Sequence, residues 1–296
     1  MRWRRSRRSS NIEDRRGGGF GRLGGGMGAG PRMGKVAGGG GIGVIVIALI
    51  AMFFGVDPSF LLSGLDQGTT YTTTDRRETP PADDQQAQFV AAVLGETEDV
   101  WNSIFADLGA DYSEPTLVLF ESQVTSACGM ASSATGPFYC PGDRQVYIDL
   151  DFFTELERRF GAPGDFARAY VIAHEIGHHV QTLLGISAKV QDLRRRLPEV
   201  EANRYSVLLE LQADCFAGVW ARTAQEARQI LEAGDIEEAL GAAAAIGDDR
   251  LQRRARGYVT PDSFTHGTSE QRTRWFERGM RTGDIDTCDT FAAEGA

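Results

Sequence analysis

The segment VIAHEIGHHVQ (Val171–Gln181) holds three of the four histidines in a chain of 296 residues. It lies inside GDFARAYVIAHEIGHHVQTLLG, where apolar residues recur at alternating spacings of four and three, as on one face of an α-helix. Asp165 is a candidate N-cap for this helix, and Gly185 is a candidate stop. The chain must therefore fold around a largely buried helix on which His174 and His178 lie one above the other.

The pattern H-E-x-x-H (His174, Glu175, His178) is typical of zinc peptidases. Two imidazoles one helical turn apart can bind the same Zn²⁺ ion. Glu175 lies beside them, where it can take a proton from a water on the metal. His179 projects about 100° away from His178 around the helix, so we expect it to support the ligands from behind or to face solvent.

A catalytic zinc site needs a third protein ligand. The segment RYSVLLELQADCFAGVW predicts a largely buried helix with two acids, Glu210 and Asp214, on one face. Buried carboxylates are unfavourable unless a cation or a hydrogen-bond donor neutralises them. We therefore expect Glu210 to bind the zinc and Asp214 to accept the outer N–H of one of the two histidines.

Two alternatives stay open for this second helix. The acids could form salt bridges instead, for instance with Arg204 or Arg222. In that case His266, the one remaining histidine, would be the third ligand. If Glu210 is the ligand, His266 is free to donate a hydrogen bond to the oxyanion that forms during hydrolysis.

The remainder of the chain predicts an α+β fold. A helix should begin near Asp84, and two β-rich segments follow, PTLVLFES (Pro115–Ser122) and QVYIDL (Gln145–Leu150). Almost everything after Leu150 has a helical pattern. We therefore expect a mostly helical domain with a small β-sheet over residues 85–296.

The N-terminal part has a different composition. Residues 1–35 carry ten Arg and Lys against Glu13 and Asp14, a charge of +8, which leaves −18 for the remainder of a chain whose net charge is −10. Residues 17–43 hold fifteen glycines, and such a segment cannot pack a core. The sequence thus predicts a disordered basic arm over residues 1–35.

The 21 residues Val36–Val56 contain no charge, and about 20 apolar residues are enough to cross a bilayer. They predict a single transmembrane helix in contact with lipid, followed by a polar linker over residues 57–84. Because arginine-rich flanks stay in the cytoplasm, the N-terminus should be cytoplasmic and the domain extracytoplasmic. No nucleic-acid partner is expected, because the arm's position beside the span accounts for its charge.

The chain has four cysteines. An even number in an external domain suggests disulfides, although four free thiols are the alternative. Cys128 and Cys140 would close a short loop, and Cys215 and Cys288 would pair by default.

Three segments carry a resemblance to a known family: AHEIGHHVQ, ELQADCFAGVW and FTHGTSEQRTRWF. Together they resemble the bacterial membrane-anchored neutral zinc metallopeptidases over nearly the whole chain. The pair H-E-x-x-H and E-x-x-A-D is also similar to membrane-linked gluzincins. In those peptidases a Pro usually follows the histidine that corresponds to His266, whereas here the next residue is Gly267.

The resemblance implies a zincin-like endopeptidase with one zinc per chain and a peptide or protein substrate. Glu175 would be the general base for a zinc-activated water. The substrate is expected to add as a strand to a sheet edge in FYCPGDRQVYIDL, stiffened by the Cys128–Cys140 bond. One alternative is a zinc-containing binding module without catalysis, but an intact Glu175 argues against it. The other is a lipid- or nucleic-acid-binding protein built around the basic arm.

Overall fold

The computed structural model describes residues 1–17 and 79–293. The predicted membrane span, Val36–Val56, and most of the predicted linker lie outside the described residues. The linker assignment therefore stays a prediction.

The described part of the chain is mostly helical, and the α+β fold class is confirmed. Its α-helices are α1 (Gln85–Asp107), α2 (Asp151–Arg158), α3 (Asp165–Leu183), α4 (Ile186–Arg194), α5 (Glu199–Arg228), α6 (Asp235–Ala245), α7 (Asp248–Arg256), α8 (Ser269–Thr282) and α9 (Thr290–Ala293). The Asp84 side chain accepts hydrogen bonds from the backbone N–H groups of Gln86 and Ala87. It thereby caps α1, which begins where the sequence predicts.

The β-structure consists of a four-stranded sheet and a separate hairpin. The strands are β1 (Ile12–Asp14), β2 (Thr116–Phe120), β3 (Gln123–Ser126), β4 (Gly129–Ser132), β5 (Phe138–Cys140) and β6 (Gln145–Asp149). The sheet has the order β1-β2-β6-β5, and β3 pairs with β4 in the hairpin. β1, β2 and β6 run parallel, while β5 is antiparallel to β6. The two strands predicted from sequence, β2 and β6, form the buried centre of the sheet.

Residues 1–16 are part of the folded domain, so the prediction of a disordered arm is wrong for this segment. Ile12 of β1 lies opposite Leu117 of β2. The Met1 amine lies 2.5 Å from a carboxylate oxygen of Asp165, the first residue of α3. Residues 1–16 and the residues that follow the undescribed segment form one compact unit.

The predicted localisation, a single-pass membrane protein with a cytoplasmic N-terminus and an extracytoplasmic domain, is also wrong. Because β1 is a strand of the domain's own sheet, the N-terminal segment and the domain lie on the same side of any membrane. Within the described ranges, no helix is both long enough and apolar enough to cross a bilayer.

Both predicted disulfides are present. Cys128 is bonded to Cys140, and Cys215 is bonded to Cys288. The second bond joins the middle of α5 to the short 3₁₀ turn that follows α8. Two disulfides in one chain are typical of proteins that fold in an oxidising compartment.

Helices α5 and α8 cross at very short distance in the core. A Cβ atom at Gly218 of α5 would lie 2.1 Å from the backbone oxygen of Phe276. A Cβ atom at Gly279 of α8 would lie 2.0 Å from the backbone oxygen of Cys215. The two glycines therefore let the helix backbones touch, and this contact fixes α8 against α5.

We expect Gly218→Ala to destabilise the protein by about 1–3 kcal/mol, since the added methyl group must push two backbones apart. Thermal unfolding should show a fall of about 3–8 °C in Tm. Gly241→Ala in α6 is the matched control, because a Cβ atom there meets nothing within 4 Å. An equal loss of Tm in both variants would contradict the close crossing.

Candidate metal centre and active site

Helix α3 presents the H-E-x-x-H residues towards α5. The imidazole rings of His174 and His178 have their centroids 4.8 Å apart. Between them on the helix lies Gly177, where a Cβ atom would be only 3.0 Å from Cα of Ala213. This close approach places Glu210, one turn earlier on α5, opposite the two histidines.

Three potential ligand atoms converge at this crossing. Glu210 Oε2 lies 3.1 Å from His174 Nε2, and Glu210 Oε1 lies 3.3 Å from His178 Nε2. One ligand atom from each of the three residues lies within 4.8 Å of the others. The structure thus brings together the three residues that the sequence predicts as zinc ligands.

The outer nitrogen of each imidazole is held by a hydrogen bond. His174 Nδ1 lies 2.8 Å from Asp214 Oδ1, as the sequence predicts for one of the two histidines. His178 Nδ1 lies 2.9 Å from Oε1 of Gln181. The Nε2 group of Gln181 in turn donates to the backbone oxygen of Leu209. Both histidines are therefore oriented with Nε2 towards Glu210, the orientation that metal binding needs.

Asp214 is the centre of a buried polar network that sequence reasoning missed. The Arg272 guanidinium donates to both carboxylate oxygens, at 2.9 and 3.0 Å. The Tyr170 hydroxyl donates to Oδ1 at 2.5 Å. The salt bridge considered for Asp214 thus exists, but its arginine comes from α8, and Arg222 pairs with Glu226 instead.

Electrostatics favour a cation between the three residues. Burial would raise the pKa of Glu210, but the nearby His178, His266 and His174 hold it well below its usual value. Burial would lower the pKa of His174, yet the carboxylates of Asp214 and Glu210 raise it to about 10. Carboxylates that favour positive charge this strongly are suited to a metal ion as well as to a proton.

A zinc ion fits this donor set. Two imidazole nitrogens and one carboxylate are the ligands of a well-known class of catalytic zinc site. The side chains of His178 and Glu210 are 15% and 17% exposed, whereas Asp214 is fully buried. His178 and Glu210 therefore lie at the solvent edge of the site, where water and a substrate can enter.

Glu175 lies beside the ligands and is 8% exposed. Its carboxylate makes no hydrogen bond or ion pair with any residue in the described ranges. A carboxylate that no structural contact occupies is available to exchange protons.

His266 lies at the rim of the site rather than among the three ligands. Its side chain is half exposed, and Nδ1 lies 3.4 Å from Asp248 Oδ1. The backbone N–H groups of Thr265, His266 and Gly267 all donate to Asp248 Oδ2. Gly267 has φ +90°, which proline cannot adopt.

His179 does not face solvent, contrary to one of the two expectations for it. It is fully buried, with Nε2 2.6 Å from the backbone oxygen of Ser113 and Nδ1 3.1 Å from the Tyr139 hydroxyl. Burial lowers its pKa to about 4, so this imidazole is neutral. Because Tyr139 belongs to β5, the contact fixes the terminal strand of the sheet beside α3.

Comparison with known proteins gives one family and several relatives. A family model described as "Putative neutral zinc metallopeptidase" matches residues 1–291. The chain is 47% identical to "Uncharacterized protein YpfJ" of Escherichia coli (strain K12) over 291 residues, 98% of this chain and 99% of that protein. It is 40% identical to "Uncharacterized protein Rv2575" of Mycobacterium tuberculosis (strain H37Rv) over 265 residues, 82% and 85% of the two chains. No solved structure matches this chain.

Proposed function

This chain belongs to the neutral zinc metallopeptidase family, and we propose that it is a zinc-dependent endopeptidase. His174, His178 and Glu210 hold one zinc ion, and Glu175 is the general base. The observation that carries this proposal is the convergence of three potential ligand atoms within 4.8 Å. Beside them lies Glu175, whose carboxylate has no hydrogen bond or ion pair with the described residues.

Each protein group has a separate task in the proposed reaction. When bound, zinc supplies Lewis acidity, which polarises a scissile carbonyl and lowers the pKa of water to about 7. Glu175 accepts a proton from the attacking water and then donates it to the leaving amine. His266, held by Asp248 through Nδ1, donates a hydrogen bond from Nε2 to the developing oxyanion.

The substrate is proposed to bind along β5. Among the described residues this strand is paired on one side only, with β6, and is therefore an edge to which an extended peptide can add. Its position beside α3 is fixed by the Tyr139–His179 contact, and Cys140 at its end is tied to the β3–β4 hairpin by the disulfide with Cys128. Glu175 lies one helical turn before His179 on α3, so we propose that a peptide on this edge reaches it.

Metal removal tests the proposed function. The purified full chain should cleave an unstructured protein such as casein, lose this activity after dialysis against a chelator, and regain it with one equivalent of zinc. A chain that binds one zinc and cleaves no peptide in a broad library would be a zinc-containing binding module. Cleavage that survives chelation, with no zinc left on the protein, would also contradict the proposal.

Asp214 should act on the zinc through His174. We expect Asp214→Asn to weaken zinc binding by about 10–100-fold, the usual effect of removing a partner of a ligating histidine. Tyr170→Phe removes another hydrogen bond to the same carboxylate but leaves the contact with His174, so its effect should be below about tenfold. Competition with a fluorescent chelator measures both, and equal effects in the two variants would contradict this role.

A further inference from the structure

The N-terminal strap, defined here as residues 1–16, runs along α1 and ends as a strand of the sheet. The Ser9 backbone N–H donates to the oxygen of Ala91, and β1 then pairs with β2. Where the strap crosses α1, a Cβ atom at Gly95 would lie 2.8 Å from the backbone oxygen of Arg7. The helix is therefore shaped so that an extended chain can pass directly over its backbone.

A buried acid on α1 depends on the strap for its partners. Glu98 is fully buried, and three groups bind its carboxylate: Arg7 Nη2 at 2.8 Å, Ser9 Oγ at 2.5 Å and Asn11 Nδ2 at 2.8 Å. All three belong to the strap, and no other described residue has a hydrogen bond or ion pair with this carboxylate. A buried carboxylate that loses all its donors is strongly unfavourable. Glu98 of α1 therefore depends on the strap for its hydrogen-bond donors.

The last residue of the strap also contacts the start of α1. Arg16 Nη2 lies 2.8 Å from Asp84 Oδ2, and Asp84 caps α1. Apolar contacts add to these charge pairs: Trp3 packs edge-on against Phe89 at 5.5 Å. The strap thus has the contacts of a bound basic peptide on an acidic surface.

Helix α1 also packs against α5, the helix that carries Glu210. Trp101, three residues after Glu98 on α1, packs edge-on against Phe216 of α5 at 5.6 Å. α1 therefore lies between the strap and α5.

We propose that the acidic face of α1 is a recognition surface for a basic extended peptide, that its ligand is the chain's own N-terminal strap, and that the bound strap clamps α1. Two arginines of the strap make these contacts: Arg7 pairs with Glu98 and Asp99, and Arg16 pairs with Asp84. This proposal does not depend on the proposed hydrolysis of peptides.

The test is to cut the strap free in the full chain. A recognition sequence for a specific protease, inserted directly after Gly17, allows cleavage of the folded protein, and denaturing mass spectrometry confirms that the cut is complete. We expect the strap to stay bound in native mass spectrometry. An excess of a synthetic peptide of residues 1–17 should replace it. A strap that dissociates at once from the cut protein would overturn the proposal.

The charge contact is tested by two matched reversals in the cut protein. Arg7→Glu places a carboxylate beside buried Glu98 and should weaken strap binding at least about tenfold. Arg4→Glu makes the same change at an exposed residue whose guanidinium stacks on the ring of its own neighbour Trp3. This variant should leave binding within about threefold. If the Arg7→Glu strap and the Arg4→Glu strap stayed bound equally well, the proposed recognition would be overturned.

Hydrogen exchange separates a clamp from a passive attachment. When the strap is released, amides of α1 around Glu98 should exchange at least about tenfold faster, because their helix has lost its packing partner. Unchanged exchange in α1 after release would overturn the clamp. None of these measurements uses peptidase activity. Their outcome is therefore independent of the proposed function.

Discussion

Glu175→Gln should abolish peptide hydrolysis while the protein retains one equivalent of zinc. The amide cannot accept the proton of the attacking water, and the loss of a general base lowers the rate by about 10²–10⁴-fold. The zinc should stay, because the proposed ligands are His174, His178 and Glu210. Activity on casein, together with metal analysis of the same sample, checks both halves of this expectation.

The matched control for this variant is Glu237→Gln. Glu237 lies exposed on α6 and has no hydrogen bond or ion pair with the described residues, so its amide should leave activity and zinc content unchanged. Full activity in Glu175→Gln would rule out Glu175 as the base. Loss of zinc from that variant would mean that Glu175 belongs to the ligand set, and the assignment of roles would have to change.

Glu210→Ala should lose zinc outright, whereas His266→Ala should keep it. Removing Glu210 takes one of three ligands and leaves two imidazoles, too few for a stable catalytic zinc site. His266 is at the rim, so its loss should lower kcat by about 10²–10³-fold through the missing oxyanion contact. Metal analysis by mass spectrometry, combined with kcat at saturating zinc, distinguishes the two roles.

The opposite pattern would support the alternative ligand. If His266→Ala lost zinc and Glu210→Ala kept it, His266 would be the third ligand and Glu210 a member of a salt bridge. The site geometry argues against this reading, because Glu210 lies within 3.3 Å of both histidines while His266 is paired with Asp248. Glu201→Ala, at an exposed acid of the same helix α5, controls for the general effect of removing a charge.

The local parts of the site were predictable from sequence. His174 and His178 are four residues apart, and helix geometry alone places them together. Two acids in an apolar helix need a neutralising partner, which led to Glu210 and Asp214. The strands β2 and β6 and the start of α1 follow equally local patterns of alternation and capping.

The parts that could not be predicted depend on contacts between distant segments. Arg272 lies 58 residues beyond Asp214, and it is one of several arginines with similar neighbours in the sequence. Tyr170 lies four residues before His174 on α3, and this spacing was a signal that its hydroxyl could reach the same carboxylate. Only the crossing of α5 and α8 brings these groups together.

The N-terminal segment likewise depends on contacts with residues that are distant in the sequence. Its fold could not be predicted, because composition does not say where the partner charges of its arginines lie. In the fold, Arg7 pairs with Glu98 and Asp99, and Arg16 pairs with Asp84. The glycine-rich residues 17–43 next to it suggested disorder for the whole arm, but that argument does not extend to the first sixteen residues.

Anomalous diffraction at the zinc absorption edge, on crystals of the wild-type chain, tests the central claim most directly. We expect one zinc peak within about 2.0–2.2 Å of His174 Nε2, His178 Nε2 and a carboxylate oxygen of Glu210. A zinc peak at any other set of residues, or an intact His174–Glu210 hydrogen bond with no zinc after incubation with the metal, would contradict the proposed site.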